Sequence, residues 1–181
     1  MKKYLPFILL GVGILVVVVG IIVVKNIKKQ AASSEDDIAV PEIPADQRPL
    51  VSLTPTNDGH WLNFVVSKLN VKGAASMDYE LVYSVKNGGQ QGVPGTVKLD
   101  GSNVERKLLL GSESSGKFRY DEGVETGTMT LRFRNSSGKL IGKLSTTFTL
   151  AKKSLPAGRQ GVYEVTMDTF ADGIKTFSSS N

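Results

Sequence analysis

The chain has 181 residues, of which 40% are hydrophobic and 22% are charged, and it contains no cysteine. This composition excludes a wholly disordered chain, and the lack of cysteine excludes disulfides, thiolate catalysis and cysteine-ligated zinc. The net charge of +5 is uneven: residues 1–30 carry five lysines and no acid, residues 31–48 carry −4 and residues 49–181 carry +4. Because the basic side chains of residues 49–181 are scattered and not set among stacking aromatics, we expect no nucleic-acid partner.

The first predicted element is a transmembrane helix at residues 4–24, after a short cytoplasmic tail at residues 1–3. The stretch contains no charged residue. At about 1.5 Å per residue it gives a helix of roughly 31 Å, the hydrocarbon thickness of a bilayer. A signal peptide has a shorter apolar run followed by small residues, whereas Lys25, Lys28 and Lys29 follow this one. We therefore expect an uncleaved signal anchor in a single-pass membrane protein, with the lipid bilayer as partner of residues 4–24.

The predicted orientation of this anchor depends mainly on the length of its N-terminal tail. Lysines flank both ends of the apolar run, so the positive-inside rule leaves both orientations open. A tail of three residues normally stays inside, and an acidic spacer leading to a β-rich domain suits the outer side. We expect a cell-membrane protein whose C-terminal domain is extracytoplasmic.

Residues 25–48 are predicted to be a linker with a basic flank and an acidic, proline-containing remainder. The remainder reads "AASSEDDIAVPEIPADQRP" and carries five acidic side chains before Arg48. A segment of this composition repels itself and has little to bury. The prediction is a plain tether.

Residues 49–181 switch to a period of two, which predicts strands. The clearest is "MDYELVYSV", in which one face carries Met77, Tyr79, Leu81, Tyr83 and Val85. "TMTLRFRN" points Met129, Leu131 and Phe133 inward. The turn "NSSG" then leads into "KLIGKLSTTFTL", whose shared face carries Leu140, Leu144, Phe148 and Leu150. Turn chemistry makes this pair a hairpin.

Weaker strands are predicted at "LVSLT", "HWLNFVVS", "GTVKL", "VERKLLL", "KFRY" and "GVYEVTM". Gly, Asn, Asp and Ser separate them in "NDG", "NGGQQG", "DGSN", "GSESSG" and "ADG". The segment Lys152–Gly161, which includes the octet Ser154–Gly161, is predicted to be an exposed connection between a strand ending at Leu150 and the last strand, starting at Val162. Eight or nine short strands, spaced about 8–15 residues apart, predict a mainly β, antiparallel sandwich.

The stretch "TGTMTLRFRNSSGKLIGKLSTTFTL" resembles the last hairpin of bacterial immunoglobulin-like and fibronectin type III-like domains. "MDYELVYSV" is similar to one of their central strands. The resemblance implies an immunoglobulin-like β-sandwich over residues 49–181. It also implies a binding, spacing or scaffolding module, although folds of this kind host many functions.

No constellation of residues predicts catalysis, a metal site or a cofactor. His60 is the only histidine, and no nucleophile-elbow motif accompanies it. The acids that remain as oxygen ligands lack the spacing of a calcium loop; they are Asp58, Asp100, Asp121, Glu122 and Asp172. We expect no enzyme.

Four aromatic residues are the candidate binding residues: Trp61, Tyr79, Tyr83 and Tyr120. The alternative is that these rings pack in the core or at sheet edges, as most aromatic side chains do. A ligand-binding module would show a concave aromatic cluster near "NGGQQG" and "GSESSG".

The expected function is that of a non-enzymatic envelope protein whose extracytoplasmic domain mediates protein–protein interaction or scaffolding. A ligand- or glycan-binding surface module is the alternative. Neither function requires catalysis, and the two differ in what the domain binds. A binding assay therefore separates them.

We expect the full-length protein to resist carbonate extraction from membranes and to keep its N-terminal lysines, because the uncharged span lacks a good cleavage site. Intact-mass spectrometry of the membrane fraction measures the mature N-terminus. A chain beginning near Ser33 or Ser34 would show that the span is removed.

Overall fold

The computed structural model describes residues 40–154 and 161–179, which belong to one compact unit apart from Val40. The predicted tail, the transmembrane helix at residues 4–24 and the linker as far as residue 39 lie outside the described residues. Of the predicted connection at Lys152–Gly161, residues 155–160 also lie outside the described residues, whereas Lys152 and Lys153 continue the preceding strand and do not belong to a loop. The helical content of the described residues is one 3₁₀ turn at Ala45–Gln47, and no helix there is long and apolar enough to cross a bilayer.

Eleven strands lie within the described residues. They are β1 (Leu50–Pro55), β2 (Trp61–Ser67), β3 (Ser76–Ser84), β4 (Gln90–Lys98), β5 (Val104–Leu109), β6 (Gly111–Ser114), β7 (Lys117–Tyr120), β8 (Thr126–Arg134), β9 (Leu140–Lys153), β10 (Val162–Thr169) and β11 (Gly173–Ser178).

These strands form two main sheets and a separate hairpin, with antiparallel pairing throughout. One sheet has the order β1-β2-β5 and the other the order β11-β10-β9-β8-β3-β4, while β6 pairs only with β7. The prediction of a mainly β, antiparallel fold is confirmed. The sequence did not predict β6, whose "GSES" has no apolar side chain, or β11, whose Ile174 is 77% exposed.

The six-stranded sheet buries the faces that alternation predicted. Four of the five predicted side chains of the β3 face are buried, namely Met77, Tyr79, Leu81 and Tyr83. Those of β8 and β9 are buried as well: Met129, Leu131, Phe133, Leu140, Leu144, Phe148 and Leu150. The predicted β8–β9 hairpin is present, and the Asn135 side-chain oxygen accepts hydrogen bonds from the backbone N–H groups of Ser137 and Lys139.

Both main sheets contribute to one hydrophobic core. Leu62 and Phe64 of β2 are fully buried in it together with the apolar face of β3. The ring centroids of Phe64 and Tyr79 lie 5.2 Å apart, which joins the two sheets directly. Burying such side chains contributes about 1.5–3 kcal/mol each, so this core is the main source of stability.

The segment before β1 belongs to the folded domain. Ile43 is only 3% exposed and packs on Gly142 of β9, where a side chain larger than hydrogen would collide with it. The guanidinium of Arg48 donates a hydrogen bond of 3.0 Å to the Ile43 carbonyl. The sequence analysis assigned residues 25–48 to the linker, whereas the structure places Ile43 in the core. The sequence did not indicate this, because a single apolar side chain among prolines and acids gives no periodic signal.

The strands run between two ends of the domain. The segment that contains Ile43 joins β1 at Leu50, and we call this the near end. β1 then extends for six residues, or about 20 Å, to the opposite end, which we call the far end. The turn that follows β1 lies there, and its Gly59 packs under the ring of Tyr163, at the start of β10.

We expect Ile43→Ala to lower the free energy of unfolding of a fragment spanning residues 40–181 by about 2–4 kcal/mol, because it opens a cavity over Gly142. Ile174→Ala is the matched control and should change stability by less than about 0.5 kcal/mol, since that side chain is exposed. Urea denaturation measures both. Equal effects of the two substitutions would contradict the assignment of Ile43 to the core.

Candidate functional site

The four predicted binding residues lie in two different environments. Tyr79 is 8% exposed and Tyr83 is 1% exposed, so both rings are in the core. Trp61 is half-buried at the start of β2 and Tyr120 is exposed at the end of β7, both at the far end. The structure therefore brings Trp61 and Tyr120 to one surface and places Tyr79 and Tyr83 in the core.

Four rings meet at this surface, and we call His60, Trp61, Phe118 and Tyr120 the aromatic cluster. His60 stacks on Tyr120 with ring centroids 3.9 Å apart and planes 4° from parallel. Phe118 lies 6.3 Å from Tyr120, nearly parallel, and meets Trp61 edge-on at 5.5 Å. The ammonium of Lys107 lies 5.0 Å from the centroid of the Trp61 ring, within the range of a cation–π interaction.

The β6–β7 hairpin positions two of these rings. Phe118 and Tyr120 are two residues apart on β7, so strand alternation places them on one side. The turn before them holds Ser115 and Gly116 at positive φ values of 52° and 73°. The Asp121 N–H donates a hydrogen bond of 3.0 Å to the Leu110 carbonyl, which closes the hairpin at its base.

Tyr83 connects this hairpin to the core. Its hydroxyl donates a hydrogen bond of 2.8 Å to Oδ2 of Asp121, the residue next to Tyr120. Burial raises the pKa of the Tyr83 hydroxyl well above its usual range, and the hydrogen bond to the Asp121 carboxylate and its negative charge raise the pKa further. Tyr83, which the sequence predicted to be a binding residue, therefore supports the β6–β7 hairpin from the core.

A depression of about 510 Å³ lies beside Tyr120. One wall comes from the loop "NGGQQG" and the start of β4, and the other comes from β7, which follows "GSESSG". The lining residues are Val85, Lys86, Asn87, Gln91, Arg119, Tyr120, Asp121 and Glu122. The sequence analysis expected a concave cluster of aromatic rings for a ligand-binding module, whereas Tyr120 is the one ring among the residues that line this depression.

The walls of this depression are tied to each other. The Lys86 N–H donates a hydrogen bond of 2.9 Å to the Glu122 carbonyl, and the Lys86 ammonium lies 3.6 Å from the Glu122 carboxylate. Gly123, at φ 67°, packs so closely on Lys86 that a Cβ would come within 2.8 Å of the Lys86 Cβ. These contacts fix the shape of the depression.

Three polar side chains of the depression make no bond to another residue that the structure describes. Asn87, Gln91 and Arg119 have no hydrogen-bond or ionic partner among residues 40–154 and 161–179. Two amides and a guanidinium therefore remain available to a ligand. Sequence reasoning missed these residues, because nothing in the local pattern indicates that Gln91 and Arg119 line the same depression.

His60 lies in a turn held by its neighbours. The Thr56 hydroxyl donates a 2.5 Å hydrogen bond to the Asp58 carboxylate, and His60 Nδ1 is 3.4 Å from the same group. The Thr56 hydroxyl, together with the His60 N–H, holds the pKa of Asp58 below its usual range. In the described part of the chain, no three His, Asp or Glu side chains converge on a point where a metal ion would bind.

These features define a class: a mainly antiparallel β domain with an exposed aromatic and polar surface at one end. Scans against protein-family models, curated proteins and solved structures give no match.

We expect the stability of the domain to fall as pH rises above about 10, the ordinary tyrosine pKa. Above that pH the unfolded chain loses the Tyr83 proton while the folded chain retains it, so the unfolded state binds fewer protons and unfolding becomes easier. Urea denaturation between about pH 8 and pH 11 should show a steeper loss for wild type than for Tyr83→Phe. Parallel curves would contradict the raised pKa of this hydroxyl.

Proposed function

We propose that the chain is a non-enzymatic, single-pass membrane protein that displays an immunoglobulin-like β-sandwich outside the cell and acts by binding an envelope component at its far end. The uncharged span at residues 4–24 supports the anchor. The segment that contains Ile43 joins the domain at its near end, and the exposed rings lie at the far end.

The strand order supports the immunoglobulin-like assignment. In this proposal the sheet β1-β2-β5 takes the places of strands A, B and E, and the run β4-β3-β8-β9 takes those of C′, C, F and G. The β6–β7 hairpin is then an insertion between E and F, and β10–β11 adds two strands beyond G. Such folds present loops at both ends of the sandwich, where binding surfaces commonly lie.

The single observation that carries the binding proposal is the exposure of the aromatic cluster. Phe118 is 46% exposed and Tyr120 is 39% exposed. Aromatic side chains and arginine are enriched at protein interfaces and supply much of their binding energy. A protein partner of the envelope, held by Trp61, Phe118 and Tyr120 and bordered by Lys107 and Arg119, is the first candidate.

The second candidate is a glycan or another polar ligand, and the depression beside Tyr120 favours it. Its lining combines one exposed ring with unpaired amides, a pattern typical of sites that orient small polar ligands. Both candidates use the same end of the domain and differ in what is bound.

A photo-reactive amino acid in place of Phe118 tests the far end in intact cells. We expect it to crosslink to a discrete envelope component, because a ring at that position would lie at the interface.

The same amino acid in place of Asn103 is the matched control. Asn103 is exposed in the loop before β5, at the near end, and should give no such product. Equal labelling from both positions, or none from position 118, would contradict binding through the far end.

A further inference from the structure

We propose that the depression beside Tyr120 is a carbohydrate subsite that binds a pyranose unit of an envelope glycan. This inference rests on the proposed function and names the class of ligand. A pyranose has apolar C–H faces and a rim of hydroxyl groups. Its site therefore needs an aromatic ring and several planar polar groups that both donate and accept hydrogen bonds.

Tyr120 supplies the ring. It lines the depression and is 39% exposed, although His60 stacks on it at 3.9 Å. The stack holds the ring in one orientation before a ligand arrives. Less side-chain entropy is then lost on binding than for a free tyrosine.

The unpaired groups supply the polar rim. Each amide of Asn87 and Gln91 offers two donor hydrogens and an acceptor oxygen, and Arg119 offers five donor hydrogens. Neighbouring hydroxyls of a sugar accept and donate in the same plane, so a planar amide satisfies two of them together. The carboxylates of Asp121 and Glu122, on the same wall, add acceptors.

The polarity of the depression favours a sugar over a protein anchor at this point. Six of its eight lining side chains are charged or carry amides, and Val85 and Tyr120 are the exceptions. Hot-spot residues of protein interfaces lie in desolvated, well-packed pockets. A protein side chain inserted here would leave the charged groups without water or partners, whereas the hydroxyls of a sugar replace the water that these groups lose.

The walls are fixed before binding. The Tyr83–Asp121 hydrogen bond of 2.8 Å and the Lys86–Glu122 backbone bond of 2.9 Å hold β7 against the end of β3. On the opposite wall, the Val85 N–H donates a 3.0 Å hydrogen bond to the Gly89 carbonyl and closes the turn that carries Asn87. Binding therefore requires little rearrangement.

Titration calorimetry of the full-length protein in nanodiscs tests the inference, with chitotetraose, cellotetraose and maltotetraose as probes. We expect saturable binding of at least one tetrasaccharide with a dissociation constant of about 1 mM or below. Tyr120→Ala should weaken that binding by about tenfold or more, and Gln91→Ala by about fivefold. Tyr120→Phe should keep most of the affinity, because the ring remains.

Asn103→Ala is the matched control for the loss of an exposed amide, and it should bind as wild type does. The melting temperature of each variant separates lost binding from lost folding, and Gln91→Ala serves if Tyr120→Ala proves unstable. Failure of all three sugars to bind at about 1 mM, or equal losses in Asn103→Ala and Gln91→Ala, would overturn the carbohydrate inference.

The crosslinking experiment then shows which proposal has failed. A discrete protein crosslinked from position 118, together with no sugar binding, would overturn the carbohydrate subsite and leave binding through the far end intact. The absence of both would overturn the two proposals together.

Discussion

The domain depends on one apolar core that both main sheets close together. Each sheet has a face of alternating large side chains, and neither face can remain exposed to water without losing the stabilisation that burial provides. Phe64 on one sheet and Tyr79 on the other meet at 5.2 Å inside it, and the Tyr79 ring also covers Gly95 of the neighbouring strand. The rings of Tyr79 and Tyr83 are therefore part of the structure that supports the surface, and they do not lie on it.

The core reaches the far-end surface through one polar contact. The Tyr83 hydroxyl is buried, and a buried hydroxyl without a partner costs about 1–3 kcal/mol. Its hydrogen bond to Asp121 satisfies that need and also fixes the chain next to Tyr120. The position of the exposed Tyr120 ring therefore depends on the packing of Tyr83 in the core. For this reason the short β6–β7 hairpin has a defined shape although its residues are exposed.

The two ends of the domain have different roles in the proposal. At the near end, Ile43 fills the space above Gly142, so the chain enters the domain at a fixed point. At the far end, exposed rings stand beside amides that make no bond within the described residues. In the proposed function, these exposed rings and amides are the groups that meet the binding partner.

The sequence by itself determined the features that depend on neighbours along the chain. The period of two in β3 and β8, and the "NSSG" turn into β9, are local patterns, and the structure confirms them. Tertiary structure decided the rest. β11 is an edge strand whose Ile174 is exposed. Ile43 is buried against Gly142 of β9, where a Cβ would collide with it. His60 stacks on Tyr120, which follows it by 60 residues in the sequence. Contacts between residues so far apart in the sequence depend on which strands pair and which sheets pack together. The pattern of residues within one segment predicts neither.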